Sequence, residues 1–459
     1  MGDMDQVKSF VETAVGYASK KCESAIARGV LSSVSQIRFS QNRIDIAKQW
    51  ESLEFVLFVN TEGAKIGIAE RSVTSEDEVR RFVDDTIGFT RALPESQFFT
   101  GIEKEIGKYE KIKDRYDSKF DGFVEDAPSI VNSAIDAARE QGARRVAGAL
   151  MLRKQHLFFR SSYGSEGSTQ ETMFDLNVRA FQEKLDHSGQ GLWCGTLPTK
   201  SVKEMIRAGA QAGDLAKKAE GAEQGEPGTY DLVLSPTVAA NVIGFVPDSA
   251  NPFMVLIGQS ALGDKMGEQI APEFVNVVDN PLLPGGLTSR PFDFEGTPTR
   301  PTPIIENGVL KSFLHNTTTA DMYGAKSTGS SAVLSAGSGL RLLLPNSSNL
   351  IFEPGDYAID ELLEGSKPTI YVTCNWYTRY QNYQTGEFST IPRDAMFLVN
   401  DGEMTPIKNL RISDNVLRMF ANISALGKEA PQIFWWEVTT PTTIPAVKVN
   451  DCRMTAATL

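Results

Sequence analysis

At 459 residues the chain can bury a large core and divide into two or more domains. Its net charge of −12 argues against a nucleic-acid partner, because its basic clusters are only short runs such as Arg80-Arg81, Arg144-Arg145 and Lys217-Lys218. No apolar run reaches the roughly 18–20 residues of a membrane span, and the acidic, helically spaced N-terminus has no signal-peptide core; the expectation is a cytoplasmic protein with no membrane partner.

Apolar residues at Val7, Phe10, Val11, Ala14, Val15 and Ala18 predict a first helix over 5–29. Period-two runs follow at Val34–Phe39, Arg43–Gln49, Ser52–Asn60 and Ala64–Arg71, with turns expected at Ser40-Gln41-Asn42 and Glu62-Gly63. An acid-rich first turn, Ser75-Glu76-Asp77-Glu78, opens a helix reaching about Thr90. The aromatic-containing stretch 92–124 reads as a long connection over a sheet. The same order then returns: a helix over 128–141, strands at 145–152, 156–161, 169–184 and 187–195, and a helix over 199–219. Helix, four strands, helix occurs twice, which suggests an internal duplication, with convergent α+β layering as the alternative.

Residues 221–229, rich in Gly, Glu and Pro, form the expected linker between an N-terminal α+β domain at 1–220 and a C-terminal domain at 230–459. Tyr230–Leu234 reads as a buried strand, and Ser235-Pro236-Thr237 starts an apolar helix reaching about Val246. From Val275 onward about ten strands are expected, with one more helix over 415–426, so the second domain should be β-rich and barrel- or sandwich-like. Glu306-Asn307-Gly308 predicts a type I′ hairpin, and the hydroxyl-rich stretch 315–331 reads as exposed, irregular backbone.

Candidate chemistry is sparse. Cys22, Cys194, Cys374 and Cys452 are scattered, with neither a disulfide nor a zinc-ribbon pattern. His156, His187 and His315 lie more than 25 residues apart, against the two imidazoles on one helix face that a zinc peptidase uses. The serine pairs lack a nucleophile elbow, and the glycine-rich run 335–339 lacks the lysine of a phosphate loop. Asp293 and Glu295 form a spaced carboxylate pair; an extended Phe292–Glu295 would bury the two phenylalanines and turn both acids outward. With His315 they are the candidates for a self-sufficient hydrolase. The stretch 375–384 supplies Asn375, Trp376, Tyr377, Arg379 and Tyr380, aromatic and hydrogen-bonding side chains of the kind that anchor a bound peptide.

Several segments together, FVNTEGAKIGIAERS, GEPGTYDLVLSP, PFDFEGTPT, IIENGVLKSFLHNTTTADMYGAKSTGS, YQTGEFS and FLVNDGEM, resemble the TldD/PmbA family, also called modulators of DNA gyrase, over nearly the whole chain. The family's TldD branch carries an HExxxH zinc motif on the helix after the YDLVLSP strand and a further cysteine ligand nearer the C-terminus. Here that helix reads PTVAANVIGFVPDSANPF and the later region APQIFWWEV, so the chain is similar to the PmbA (TldE) branch. The resemblance implies a metal-free, non-catalytic subunit that pairs with a zinc-bearing TldD-like chain, or forms a homodimer. It also implies an extended unfolded or leader peptide as substrate, with Asp293, Glu295, His315, Asn375, Trp376, Tyr377, Arg379 and Tyr380 lining its channel. In this reading no residue of the chain is catalytic or binds metal. A gyrase- or toxin–antitoxin-associated binding role is the alternative the family's older name suggests.

Overall fold

Period-two runs that look separate in the sequence join into long strands in the computed structural model, which describes residues 4–335, 341–365 and 367–457. The glycine-rich residues 336–339 lie outside that range. Helix α1, Met4–Ala18, buries all six of its spaced apolar residues and stops before Ser19-Lys20-Lys21, short of the expected end at 29. Then come β1 (Ser24–Ser40), β2 (Arg43–Thr61), β3 (Lys65–Arg71) and α2 (Glu76–Arg91), whose N-cap Ser75 accepts from the Glu78 N–H.

The same order follows in α3 (Phe120–Glu140), β4 (Arg145–Ser161), β5 (Glu166–Phe181), β6 (Ser188–Gly195) and α4 (Val202–Lys218). Each unit therefore has three strands, not four. The polar residues between the sequence runs are held extended by the ladder itself, as in Ser33↔Glu51 and Ser33↔Lys154. The six strands form one antiparallel sheet in the order β3-β2-β1-β4-β5-β6, so the two units meet where β1 pairs β4.

Alternation along β1 assigns the sheet's two faces. Ala25, Ala27, Ile37 and Phe39 pack with the helices, while Ile26 joins Phe58, Phe159, Phe292 and Phe294 on the opposite side. That opposite face is covered by the connection between α2 and α3 and by the C-terminal half. Phe99 of the connection lies 5.7 Å from Phe58, and Tyr109 lies 4.8 Å from Phe292. On the helix side, β6 meets α4 so closely that a Cβ on Gly191 would stand 1.9 Å from the Ala208 carbonyl oxygen.

The C-terminal half is β-rich, and its sheets do not close into a barrel. A ten-stranded sheet runs in the order 375–382, 387–392, 410–415, 447–456, 228–234, 369–372, 396–400, 403–408, 223–224, with 423–426 added onto 447–456. A six-stranded sheet runs 309–310, 302–306, 277–279, 350–352, 438–443, 432–435, and one large apolar core fills the space between the two. The Asn307-Gly308 hairpin forms as expected, with positive φ at both residues (51° and 75°). Gly308 is further required because a Cβ would meet the Ala271 carbonyl oxygen at 2.1 Å. The helix expected over 415–426 shortens to Val416–Ala421, since Ile423–Leu426 pairs as a strand with 447–449.

Candidate functional site

The carboxylate pair does not face solvent. Phe292, Asp293, Phe294 and Glu295 are all at most 3% exposed, because the segment is a tight turn packed on the N-terminal sheet instead of an edge strand. Phe159 covers Phe292 at 4.4 Å, and the Arg28 guanidinium stands 5.1 Å over Phe294. Asp293 turns inward and accepts from the N–H groups of Glu295 (2.9 Å), Thr297 (3.0 Å) and Ser331 (2.9 Å). Glu295 has poorer company, a single 3.3 Å bond from the Glu103 N–H in the α2–α3 connection. The Thr317 and Ser331 hydroxyls face it without reaching hydrogen-bond geometry.

Burial, and then the charge of Asp293, push the Glu295 carboxyl up to about 8. Burial raises Asp293 as well, opposed by its backbone donors and by Arg290. His315 is also buried, and burial lowers its basicity. Its ring nitrogen lies 3.3 Å from the Thr319 hydroxyl and its ring 5.8 Å from Tyr323, so it is bound into a short helix, Thr317–Tyr323, and not to the carboxylates. The hydroxyls expected to be exposed around it, Thr318, Thr319, Thr328, Ser330 and Ser331, are buried, several of them as caps and turn bonds.

The stretch 375–384 forms a strand and turn. Asn375–Asn382 pairs with Glu387–Pro392 and is the edge of the ten-stranded sheet. Asn375 is fully buried and donates to Asn241 (2.7 Å), Thr390 (2.9 Å) and Thr378 (3.2 Å); the Thr378 hydroxyl donates to Asn241 (2.6 Å). Tyr380 is stacked between Phe245, at 3.9 Å, and Tyr383, at 5.2 Å. Tyr377 and Arg379 point outward with the guanidinium 5.5 Å over the ring, and Arg393 stands 4.7 Å over Trp376.

Beneath this hairpin the Asp394 carboxylate, fully buried, accepts from Arg179 of β5 (2.6 and 3.1 Å) and from the Ser188 hydroxyl (2.6 Å). The eight candidate residues thus fall into two groups: Asp293, Glu295 and His315 are buried, the two acids in the turn packed on the N-terminal sheet, and the other five lie on the hairpin. Sequence reading missed Asn241, Phe245, Glu437 and Asp394, which are distant in the chain and carry no motif. A cleft of about 1000 Å³ also opens between α4 and the start of the helix Pro236–Val242, lined by Gln190, Trp193, Arg207, Thr237, Tyr371 and Gln432 among others.

Comparison with known proteins gives this geometry a context. The model of the PmbA/TldA metallopeptidase C-terminal domain matches residues 227–456. The chain belongs to this family. It is 31% identical over 208 residues to a metalloprotease of Methanocaldococcus jannaschii, a match covering 44% of each chain. It is 28% identical over 204 residues to the metalloprotease PmbA of Escherichia coli O157:H7, covering 43% of this chain and 41% of that one. The aligned stretch therefore spans less than half of either relative. Among solved structures, TldE of Thermococcus kodakarensis superimposes with a TM-score of 0.81 at 18% identity, covering 97% of this chain and 99% of that one. A proposed modulator of a DNA gyrase from Thermotoga maritima gives 0.79 at 23% identity, covering 98% and 100%. At these identities the structures show the shared fold alone.

A metallopeptidase family implies a metal, and the PmbA/TldA fold offers a place to test for it. Across the stretch 236–253, Val238, Ala239, Ala240 and Val242 are buried in the core, Asn241 is held in the amide–hydroxyl network, and Phe245 is committed to the Tyr380 stack. Its one carboxylate, Asp248, is buried beside Ser347 and Thr440, and burial raises its affinity for a proton. Among the described residues no three His, Cys, Asp or Glu side chains are gathered closely enough to hold a metal ion. The side chains present do not fit zinc.

Proposed function

We propose that this chain is a non-catalytic, metal-free subunit of a TldD/TldE-type zinc metallopeptidase complex, binding unfolded or leader peptides in extended form while a TldD-like partner supplies the metal and the base. The observation that carries the reading is what occupies the stretch 236–253: an aromatic stack and an amide–hydroxyl network, which orient backbone and rings but neither ligate a metal nor activate water. The hairpin beside it has the composition of a recognition edge, with an open strand and half-exposed aromatic side chains. The buried Asp293, Glu295 and His315 serve in this reading as framework behind the peptide channel.

The test is reconstitution. The purified chain alone should contain no stoichiometric zinc and cleave no unfolded protein, and activity should emerge on mixing with a TldD-like chain and disappear on chelation. Peptidase activity of the isolated chain that survives exhaustive chelation would sink the proposal.

A further inference from the structure

The hairpin contains a conformation that its own packing does not explain. Trp376 pairs with Ile391 and Arg379 with Ser389, so Tyr377 and Thr378 together oppose the single residue Thr390. This is a β-bulge, and Tyr377 takes φ +54°, the left-handed conformation that such a bulge ordinarily gives to glycine. A bulky side chain is disfavoured there. The ring does not recover the cost by burial, because it remains 48% exposed, touching Trp376 at 4.5 Å and Arg379 at 5.5 Å.

Three hydrogen bonds hold the bulge closed. The Tyr377 N–H donates to the Glu437 carboxylate at 2.8 Å, and the Thr378 hydroxyl is locked to Asn241 at 2.6 Å and Thr390 at 2.9 Å. Glu437 is itself fixed, its carbonyl accepting from the Asn241 side chain at 2.7 Å. It also follows Trp436, which is 56% exposed. The carboxylate therefore ties Tyr377, on the edge strand of the ten-stranded sheet, to the turn between strands 432–435 and 438–443 of the six-stranded sheet.

We propose that Glu437 is a positioning residue that holds Tyr377 in this glycine-type bulge so that its ring meets an extended polypeptide lying along the hairpin edge. The inference rests on the peptide-binding reading above and deepens it. The occupant is an unfolded chain with apolar or aromatic side chains: the exposed strand edge suits main-chain pairing, and the flanking rings suit side-chain contact.

Fluorescence anisotropy of the full chain with fluorescein-labelled, reduced and carboxymethylated lysozyme, a permanently unfolded polypeptide, tests it. Tyr377→Ala and Glu437→Ala should each weaken binding roughly tenfold. Glu437→Gln, whose amide oxygen still accepts from the Tyr377 N–H, should stay within about threefold of the unaltered chain. Tyr377→Gly should keep or raise the melting temperature while losing binding, the opposite of a merely structural tyrosine. Normal binding by Glu437→Ala beside lost binding by Tyr377→Ala would overturn the positioning role and spare the peptide reading. No binding by the unaltered chain would overturn both. Loss of assembly with a TldD-like chain, without loss of peptide binding, would mark the surface as a subunit contact and also refute the proposal.

Discussion

The N-terminal sheet and the Asn375–Pro392 hairpin are both antiparallel, yet they treat register in opposite ways. The β1–β4 ladder keeps one register from Ile26↔Ser161 to Phe39↔Gly148, whereas the eight-residue edge strand of the hairpin shifts twice. Side chains on the regular ladder are used for packing: one face carries four helices and the other the junction with the C-terminal half. On the hairpin, irregular pairing turns rings and a guanidinium outward and sinks Asn375 into a polar network. A uniform ladder makes a rigid support, and a bulge re-aims individual side chains. The difference separates the part of the molecule that holds from the part that presents.

The two regions are tied by Arg179 and Asp394, and cutting that tie should break the comparison most severely. Arg179→Ala leaves the fully buried Asp394 with Ser188 and a 3.4 Å approach from Arg393, and should cost about 3 kcal/mol in denaturant unfolding. If the hairpin holds its place without the tie, the loss will be within the noise of the measurement.

Within the regular region the sharpest test is Gly191→Ala. The added methyl must push β6 and α4 apart, and about 2–3 kcal/mol of destabilisation is expected from the same assay. An unchanged midpoint would mean that the layers are not locked together.

The junction of the N-terminal sheet with the C-terminal half should respond to pH. Glu295 holds its proton to about pH 8 in the folded chain and releases it near 4.5 when unfolded, so the native state binds the extra proton between those values. Stability should therefore decline as pH rises through this window and level off above it. Glu295→Gln should flatten the decline by about 1 kcal/mol per pH unit. Thermal melts of both proteins across the window would show parallel curves if Glu295 were already ionised in the native state.

Much of the regular region was legible in the sequence. Helical spacing located α1, the acidic turn located α2, and the order helix, strands, helix was read twice, as the structure has it. The merger of eight runs into six strands was not legible, because the polar residues at Glu51 and Lys154 resemble turn residues until β1 pairs with them on both sides. The candidate site was legible only as composition. Asn375 through Tyr380 stood out as an aromatic-polar cluster, but nothing local reveals that Asn375 is buried or that Tyr377 adopts positive φ.

By itself, then, the amino-acid sequence determined the α+β class, the β-rich second half, the Asn307-Gly308 turn and the family resemblance. These depend on side-chain periodicity and on backbone preferences within a few residues. Only the tertiary structure decided that Asp293 and Glu295 face inward, that Asn241 and Phe245 fill the stretch 236–253 with amide and aromatic contacts, and that Glu437 reaches Tyr377 across 60 residues. Burial and hydrogen-bond partnership are properties of segments brought together from far apart in the chain, and no local pattern encodes them.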